Sequence, residues 1–246
     1  MRNESKQSGR GSIQHCSAGA SKGGWAAKLV SQWVVGMAVV VVGSSWLQAA
    51  VVRFDARSGS KMRIEGTSNV HDWQVESPLI GGFIEAGANF PTEAGQSVTP
   101  GKVEAKAQAF IQVRSLASIE KDGRPYSTSM DDIMHEKLRM AESPKIQYRL
   151  TELVLKEMPK TNDVPYLFDS KGELVVAGVT NAVSMPIYVT PLPGHKLKVS
   201  GTVTVKMSDF KIEPPAPKIA LGLIKTGDEV KLFFEWLVAE RQTQGK

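Results

Sequence analysis

The fold is decided by one stretch of the sequence, Lys-Leu-Lys-Val-Ser-Gly-Thr-Val-Thr-Val-Lys-Met at residues 196–207. Its odd-numbered positions carry aliphatic side chains, Met or Gly, whereas its even-numbered positions carry Lys, Ser or Thr. Because successive side chains of a β-strand point to opposite faces, this alternation predicts a strand with one dry and one wet face, as in antiparallel sheets. We expect the odd-numbered residues, including Gly201, to face the interior.

The same period of two recurs over most of the chain after residue 50. It extends over residues 183–189 and 230–238, and shorter versions occur at 62–64 and 73–75. Each of these segments is therefore predicted to be a strand of the same kind of sheet.

One predicted strand changes phase along its length. Ile146, Tyr148 and Leu150 alternate in one phase, and the alternation continues at Leu153 and Leu155 in the opposite phase. Such a slip predicts a β-bulge near residues 151–152, because an extra residue in one strand reverses the faces of all later side chains and bends the sheet.

A single segment has helical periodicity. Its apolar face consists of Met130, Ile133, Met134 and Leu138. Ser129 is the predicted N-cap, and residues 131–132 place two Asp side chains in the first turn, where the helix dipole favours them. The pair Ser143-Pro144 is expected to stop the helix, whose apolar face should cover the sheet interior.

Many strands, one helix and turns rich in Gly and Pro predict an all-β fold, either an antiparallel barrel or a sandwich. The predicted turns are Ser58-Gly59, Gly81-Gly82, Gly95, Pro100-Gly101, Pro193-Gly194 and Pro214-Pro215. The sequence contains no internal repeat and no long linker, so residues 51–240 are predicted to form one domain, followed by a short tail at 241–246.

Residues 1–50 have the layout of a secretory signal. Residues 29–52 carry no charge, the apolar run Trp33–Gly43 follows a basic stretch, and small residues follow the run. A basic region, an apolar core and small residues at a cleavage point are the parts of a signal peptide. We expect cleavage after Ala49 or Ala50. The alternative is an uncleaved membrane anchor, since about 20 apolar residues can span a bilayer.

The net charge of +5, from 30 Lys and Arg against 25 Asp and Glu in 246 residues, is concentrated in this leader. Residues 1–50 hold five basic residues and Glu4, which leaves a net charge of only +1 for the rest. A nearly neutral body lacks the basic surface that phosphate backbones require, so we do not expect nucleic-acid binding. The single Cys, Cys16, lies in the leader, so the mature chain would have no disulfide or Cys-ligated metal.

The predicted strand Val103–Val113 leaves space in the core. Its inward positions include three successive alanines, at residues 105, 107 and 109. Close packing needs volume that alanine does not supply, and Gly201 on another strand adds a further gap. The space is filled either by bulky neighbours such as Trp73, Phe234 and Trp236 or by an apolar ligand.

Four groups of motifs resemble those of the YceI-like family, in the same order along the chain. They are Gly66–Trp73; Ser115-Leu116 with Met130-Asp131, Leu138 and Ser143–Ile146; Gly172–Thr180; and Ser208–Ile212 with Pro214-Pro215 and Gly227–Val230. The resemblance covers about residues 51–240. Two positions differ from the family pattern: Asp55–Ser60 lacks the usual His, and Asn181 replaces a basic residue.

This resemblance implies a lipocalin-like antiparallel β-barrel of about eight strands with one short covering helix, exported to the periplasm. It also implies that the barrel holds a long apolar or amphiphilic molecule, such as an isoprenoid-like lipid, a quinone or a fatty-acid derivative. No enzymatic activity is general to the family, and no cofactor other than the bound lipid is implied. We expect contact with the membrane only through an uncleaved leader, and a homodimer stays open.

We predict that the ligand lies against apolar side chains on several strands and on the helix. These are Trp73, Ala105, Ala107, Ala109, Ile111, Met134, Leu138, Met185, Ile187, Val203, Val205, Phe234 and Trp236. The three aromatic residues would set the width of the channel, and the two helical residues would cover one mouth.

The alternative function is that of a packed barrel that binds a partner protein of the cell envelope. Its contact surfaces would be the Pro-rich stretch Pro214–Pro217 and a loop at 115–128. Catalysis is not expected, because adjacent strand residues such as His71 and Asp72 point to opposite faces. No metal is expected either, because the helical pair Asp131 and His135 supplies too few ligands for a metal site.

Overall fold

The computed structural model describes residues 51–161, 164–216 and 224–242. All of them belong to one compact unit, Leu47–Lys246. The predicted leader and the end of the predicted tail lie outside the described residues. In the described part, none of the helices is long and apolar enough to cross a membrane.

The described residues form twelve strands, one α-helix and two short 3₁₀ helices. The strands are β1 Val52–Ala56, β2 Lys61–Ser68, β3 Trp73–Ser77, β4 Gly81–Ala86, β5 Gly101–Lys102, β6 Ala105–Gln112, β7 Ala117–Ile119, β8 Lys145–Glu157, β9 Tyr166–Val176, β10 Val179–Leu192, β11 Lys196–Lys206 and β12 Thr226–Glu240. The helix α1 is Thr128–Lys137, and the 3₁₀ helices are Val113–Ser115 and Ser208–Phe210.

Eight of the strands close into an antiparallel barrel in the order β1-β4-β6-β8-β9-β10-β11-β12, because β12 also pairs with β1. The predicted all-β, lipocalin-like barrel is therefore confirmed. The deciding stretch forms β11, with Leu197 and Val199 fully or almost fully buried. Its neighbours β10 and β12 have the predicted phases as well.

At three successive positions in the barrel wall, two separate strands stand where the rest of the wall has one. β12 pairs with both β1 and β2. β4 then pairs with β1 and β3 with β2, and β6 pairs with β4 and β7 with β3. Among the described strands, β7 pairs only with β3, whereas β6 pairs on its other side with β8. The barrel wall is thus incomplete between β7 and β8, and α1 follows β7 directly in the chain.

Two local predictions about turns and caps are wrong. Gly81 and Gly82 do not form a turn but begin β4, where Gly82 pairs with Ala109 at a positive φ of 126° that only glycine tolerates well. The N-cap of α1 is Ser127 and not Ser129, and its hydroxyl accepts a hydrogen bond from Met130 N. The helix ends at Lys137, before the predicted stop, and Arg139 then adopts a left-handed conformation with φ 55°.

The β-bulge in β8 is confirmed. The register with β9 shifts between Leu150 and Glu152, so Leu150 and Leu153 both face the interior. The end of the barrel remote from α1 is filled by the segment 87–100, whose Phe90 stacks on Phe168 at a centroid distance of 5.9 Å. Phe168 lies near the start of β9, so this segment covers one end of the lumen. The end of β9 lines the cavity under α1, so the helix covers the other end.

Candidate functional site

The interior of the barrel contains two neighbouring cavities with almost entirely apolar linings. The first lies inside the closed ring of strands and has a volume of about 110 Å³. The second lies under α1 and has a volume of about 300 Å³. An apolar cavity of about 150 Å³ is enough to hold benzene, so the second cavity alone has room for a larger guest. A lumen filled completely by side chains, as the alternative function required, is not what the fold contains.

The two cavities meet at a partition of three aliphatic side chains. Ile146, Leu174 and Leu232 line both cavities, and each of them is buried. They come from β8, β9 and β12, so the partition spans the lumen from several sides. A guest longer than one cavity would have to pass these three side chains.

The thirteen predicted ligand-binding residues all line the lumen, but they divide between the two cavities. The first cavity is lined by Ala105, Ala107, Ala109, Ile111, Met185, Ile187, Val203, Phe234 and Trp236. The second is lined by Trp73, Met134, Leu138 and Val205. Whether these side chains contact a ligand stays a prediction.

The expected trio of aromatic residues is not one group. Phe234 and Trp236 line the first cavity, whereas Trp73 lines the second, on the side of α1. The indole of Trp73 lies flat against Gly66, its cross-strand partner, and its Nε1 donates to Thr67 O over 3.2 Å. β1 and β2 are separate strands that both pair with β12, and β2 and β3 lie beside the second cavity. Trp73, at the start of β3, therefore lines that cavity.

Space in the first cavity comes from the alanines of β6. Ala107 pairs with Ile84, and Ala109 lies between Gly82 and Tyr148, so Ala109 has a larger neighbour on one side only. Gly201 does not add to this space, because the ring of Phe234 lies against it. The alanine prediction therefore identified the wall beside the cavity, whereas the predicted gap at Gly201 is filled.

Sequence reasoning missed three polar residues of the first cavity, Gln147, Tyr148 and Ser170. The Ser170 hydroxyl donates to Met185 O over 2.9 Å. Burial raises the pKa of the Tyr148 phenol, an effect that neighbouring Ser170 partly offsets. Tyr148 is thus a neutral phenol that faces an apolar lumen. Its inward phase was visible in the sequence, but its position beside Ser170 without a well-formed hydrogen bond was not.

The rim of the second cavity carries the polar groups of the site. His71 and Tyr126 lie there, with His71 Nε2 and Tyr126 OH 3.2 Å apart. Lys137 of α1 and Lys206 of β11 lie on the same rim. An amphiphile could therefore keep a polar end at this rim while its apolar part lies further inside.

His71 and Asp72 lie in the turn between β2 and β3, not on a strand. Ser68 Oγ accepts hydrogen bonds from Val70 N and His71 N and donates to His71 O over 2.7 Å. His71 Nδ1 lies 2.8 Å from Asp72 O. The side chains of His71 and Asp72 are thus not joined as an acid–base pair, in agreement with the expectation, although for a different geometric reason.

Asp131 and His135 each hold the segment before α1. Asp131 accepts a hydrogen bond from Ser118 N over 2.6 Å, and His135 Nε2 donates to Leu116 O over 3.0 Å. Within the described ranges, no three His, Cys, Asp or Glu side chains are grouped as a metal site would require.

The predicted loop 115–128 is also more ordered than expected, because it contains β7 and the buried Leu116.

Comparison with known families gives one match. The sequence profile of the YceI-like domain matches residues 65–237. That range begins within β2 and ends within β12, so it includes the lining of both cavities except for Met62 and Ile64 of β2. A search of curated proteins found no match.

Solved structures with the same fold have low sequence identity to this chain. BcnA of Burkholderia cenocepacia is 14% identical, with a TM-score of 0.52 over 72% of this chain and 95% of that one. A polyisoprenoid-binding domain from Saccharophagus degradans, implicated in plant cell wall breakdown, is 13% identical, with a TM-score of 0.53 over 78% of this chain and 100% of that one. At this identity the two structures support the fold and nothing finer.

Proposed function

Since the chain belongs to the YceI-like domain family, we propose that it binds a long apolar or amphiphilic molecule inside the barrel. The proposed ligands are isoprenoid, quinone or fatty-acid-derived chains, and the proposed role is carriage or storage without catalysis. The solved Saccharophagus degradans relative is described as polyisoprenoid-binding, which supports this class of ligand.

The observation that carries the proposal is the pair of apolar cavities in line along the barrel. Each buried methylene contributes about 0.8 kcal/mol, so a chain of roughly ten carbons gains enough to offset the loss of its freedom on binding. The partition of Ile146, Leu174 and Leu232 consists of aliphatic side chains that can change rotamer. The apolar part of the ligand would enter beneath α1, pass the partition and end beside the alanines of β6.

The polar end of the ligand would stay at the rim of the second cavity. His71, Tyr126, Lys137 and Lys206 surround that rim. Cationic and hydroxyl groups there suit a hydroxyl, carbonyl or anionic head group. The almost entirely apolar lining below would hold the rest of the chain.

Lipid extraction from the purified protein tests the proposal. Mass spectrometry should find one bound chain per protein molecule. Ala107→Phe would place a ring in the first cavity and should strongly reduce the amount bound. Ala182→Phe is the matched control, because Ala182 is exposed on the outer face of β10. Normal loading of the Ala107→Phe protein would exclude the placement, and the absence of any bound chain from the unsubstituted protein would exclude the function.

Export to the periplasm is part of the same proposal. A cleaved leader would leave the barrel soluble outside the cytoplasm, where a carrier of apolar molecules can cross an aqueous space. N-terminal sequencing of the protein from a periplasmic fraction should begin at Ala50 or Val51. A full-length chain in the membrane fraction would instead support the uncleaved anchor.

A further inference from the structure

The first cavity contains hydrogen-bond donors that its apolar character does not explain. Among the described residues, three buried side-chain polar atoms have no well-formed hydrogen bond: Arg63 Nε, Tyr148 OH and Trp236 Nε1. Arg63 Nε still lies 3.2 Å from Glu76 Oε1, so its charge is compensated. The other two atoms belong to residues that line the first cavity.

A buried donor without a partner is unfavourable, and native proteins leave few such groups. Tyr148 could have been Phe at no loss of packing, because its ring already lies flat against Gly172. Trp236 is on β12, four positions from β8 in the ring of eight strands, so it faces the wall that carries Tyr148. Two such donors on opposite walls of one cavity point to a guest with an acceptor.

We propose that Tyr148 OH donates a hydrogen bond to an oxygen atom part-way along the bound chain, with Trp236 Nε1 as a second donor to the guest. Among the proposed apolar and amphiphilic chains, the preferred ligand is then one that also carries an internal carbonyl, ester or ether oxygen. This inference rests on the proposed lumenal binding and adds the chemistry that selects among apolar guests.

The position of Tyr148 places that oxygen near the partition. Tyr148 pairs with Leu174, one of the partition residues, and is two residues from Ile146, another of them. A tyrosine phenol is protonated at neutral pH, and burial raises the pKa of Tyr148 further, so its OH can donate. The Ser170 hydroxyl lies beside the phenol, but its proton is directed to Met185 O, and the two groups do not form a well-formed hydrogen bond.

A series of 18-carbon fatty acids tests this inference. Octadecanoic acid and its oxo derivatives, with the ketone at successive positions along the chain, are titrated into the purified, delipidated protein. At least one oxo isomer should bind roughly five- to tenfold more tightly than octadecanoic acid, as expected for one net hydrogen bond. Tyr148→Phe should abolish this preference, so that no oxo isomer binds more tightly than octadecanoic acid to that variant. Tyr188→Phe is the matched control, because Tyr188 is exposed on β10.

The carbonyl stretch of the bound ketone gives a second measurement. It should lie at lower wavenumber in the unsubstituted protein than in Tyr148→Phe, because a hydrogen bond weakens the C=O bond. Equal binding of all isomers in both proteins, with no shift of the stretch, would overturn the inference and leave the proposed function intact. If neither octadecanoic acid nor any oxo isomer bound the unsubstituted protein, both the inference and fatty-acid binding would be wrong.

Discussion

Phe234 on β12 lies directly against Gly201 on β11, so that a Cβ atom on Gly201 would come within 2.8 Å of Phe234 Cζ. The two residues are cross-strand partners, and both face the lumen. Trp73 lies against its partner Gly66 in the same way, and Tyr148 against Gly172. In each pair the glycine lets a large ring lie flat on the wall, which sets the width of the lumen beside it.

Gly201→Ala should lower both stability and ligand uptake. The new methyl group would also come within 3.0 Å of Pro186 O, which is backbone and cannot yield, so the ring of Phe234 must move into the first cavity. We expect a loss of about 1–3 kcal/mol in the free energy of unfolding, measured by chemical denaturation, together with weaker binding of apolar probes.

Gly87→Ala is the matched control for crowding. A Cβ atom there would meet Glu104 Cβ at 2.8 Å, but neither residue lines either of the two lumenal cavities. It should lose stability without losing ligand. If Gly201→Ala bound probes as well as the unsubstituted protein does, Phe234 would not limit the lumen.

Leu174→Ala should join the two cavities. Leu174 is one of the three residues of the partition, so its truncation removes a barrier to a long chain. We expect a loss of about 2–5 kcal/mol in stability and a shift of the preferred chain length toward longer probes in a binding series. Leu155→Ala should be as destabilising, because Leu155 is fully buried but lines neither cavity, and it should leave the preferred length unchanged.

Ser127→Ala should destabilise the helix that covers the second cavity. The Ser127 hydroxyl accepts from Met130 N, and the Ser127 backbone is bonded in both directions to Ser118 Oγ. Loss of the cap should lower the free energy of unfolding by about 1 kcal/mol and increase hydrogen exchange in the first turn of α1. Ser129→Ala should have almost no effect on either quantity; a larger effect at Ser129 than at Ser127 would refute the assigned cap.

Asp55, on the strand β1 that closes the barrel, should make the free energy of unfolding depend on pH. Its carboxylate bonds Arg241, over 2.6 Å, and Arg53, and these contacts hold the pKa of Asp55 below its ordinary value. A carboxyl whose folded pKa is lowered stabilises the fold at pH values above its unfolded pKa of about 3.9, and this contribution disappears as the pH falls through the folded pKa.

Asp55→Asn should therefore reduce stability at pH 7 by at most about 1 kcal/mol, because the pair is partly exposed to solvent. The difference between the two proteins should decrease as the pH falls through the lowered pKa of Asp55, and it should also shrink at high salt. Thermal unfolding over this pH range measures it. A difference that stayed constant from pH 7 to pH 2 would show that Asp55 acts by packing and not by charge.

The sequence by itself determined the long strands, their inward faces and the bulge of β8. Residues 196–207 and 230–238 alternate without interruption, and a half-buried strand admits only one phase for such a pattern. The alanines of β6 likewise indicated where side-chain volume is missing. The short strands β4 and β7 were harder to predict. β4 begins with two glycines and β7 has only three residues, so neither shows a clear alternation of polar and apolar side chains.

Only the tertiary structure decided how the lumen is divided and which polar groups it holds. Ser127 prevails over Ser129 as the cap because Ser118, from another element, fixes its backbone. The partition of Ile146, Leu174 and Leu232 forms because three strands distant in sequence bring these side chains to one level. The local sequence pattern specifies whether a side chain faces the lumen or the solvent. The closure of the barrel specifies which side chains it contacts, because those side chains come from strands that are distant in the sequence.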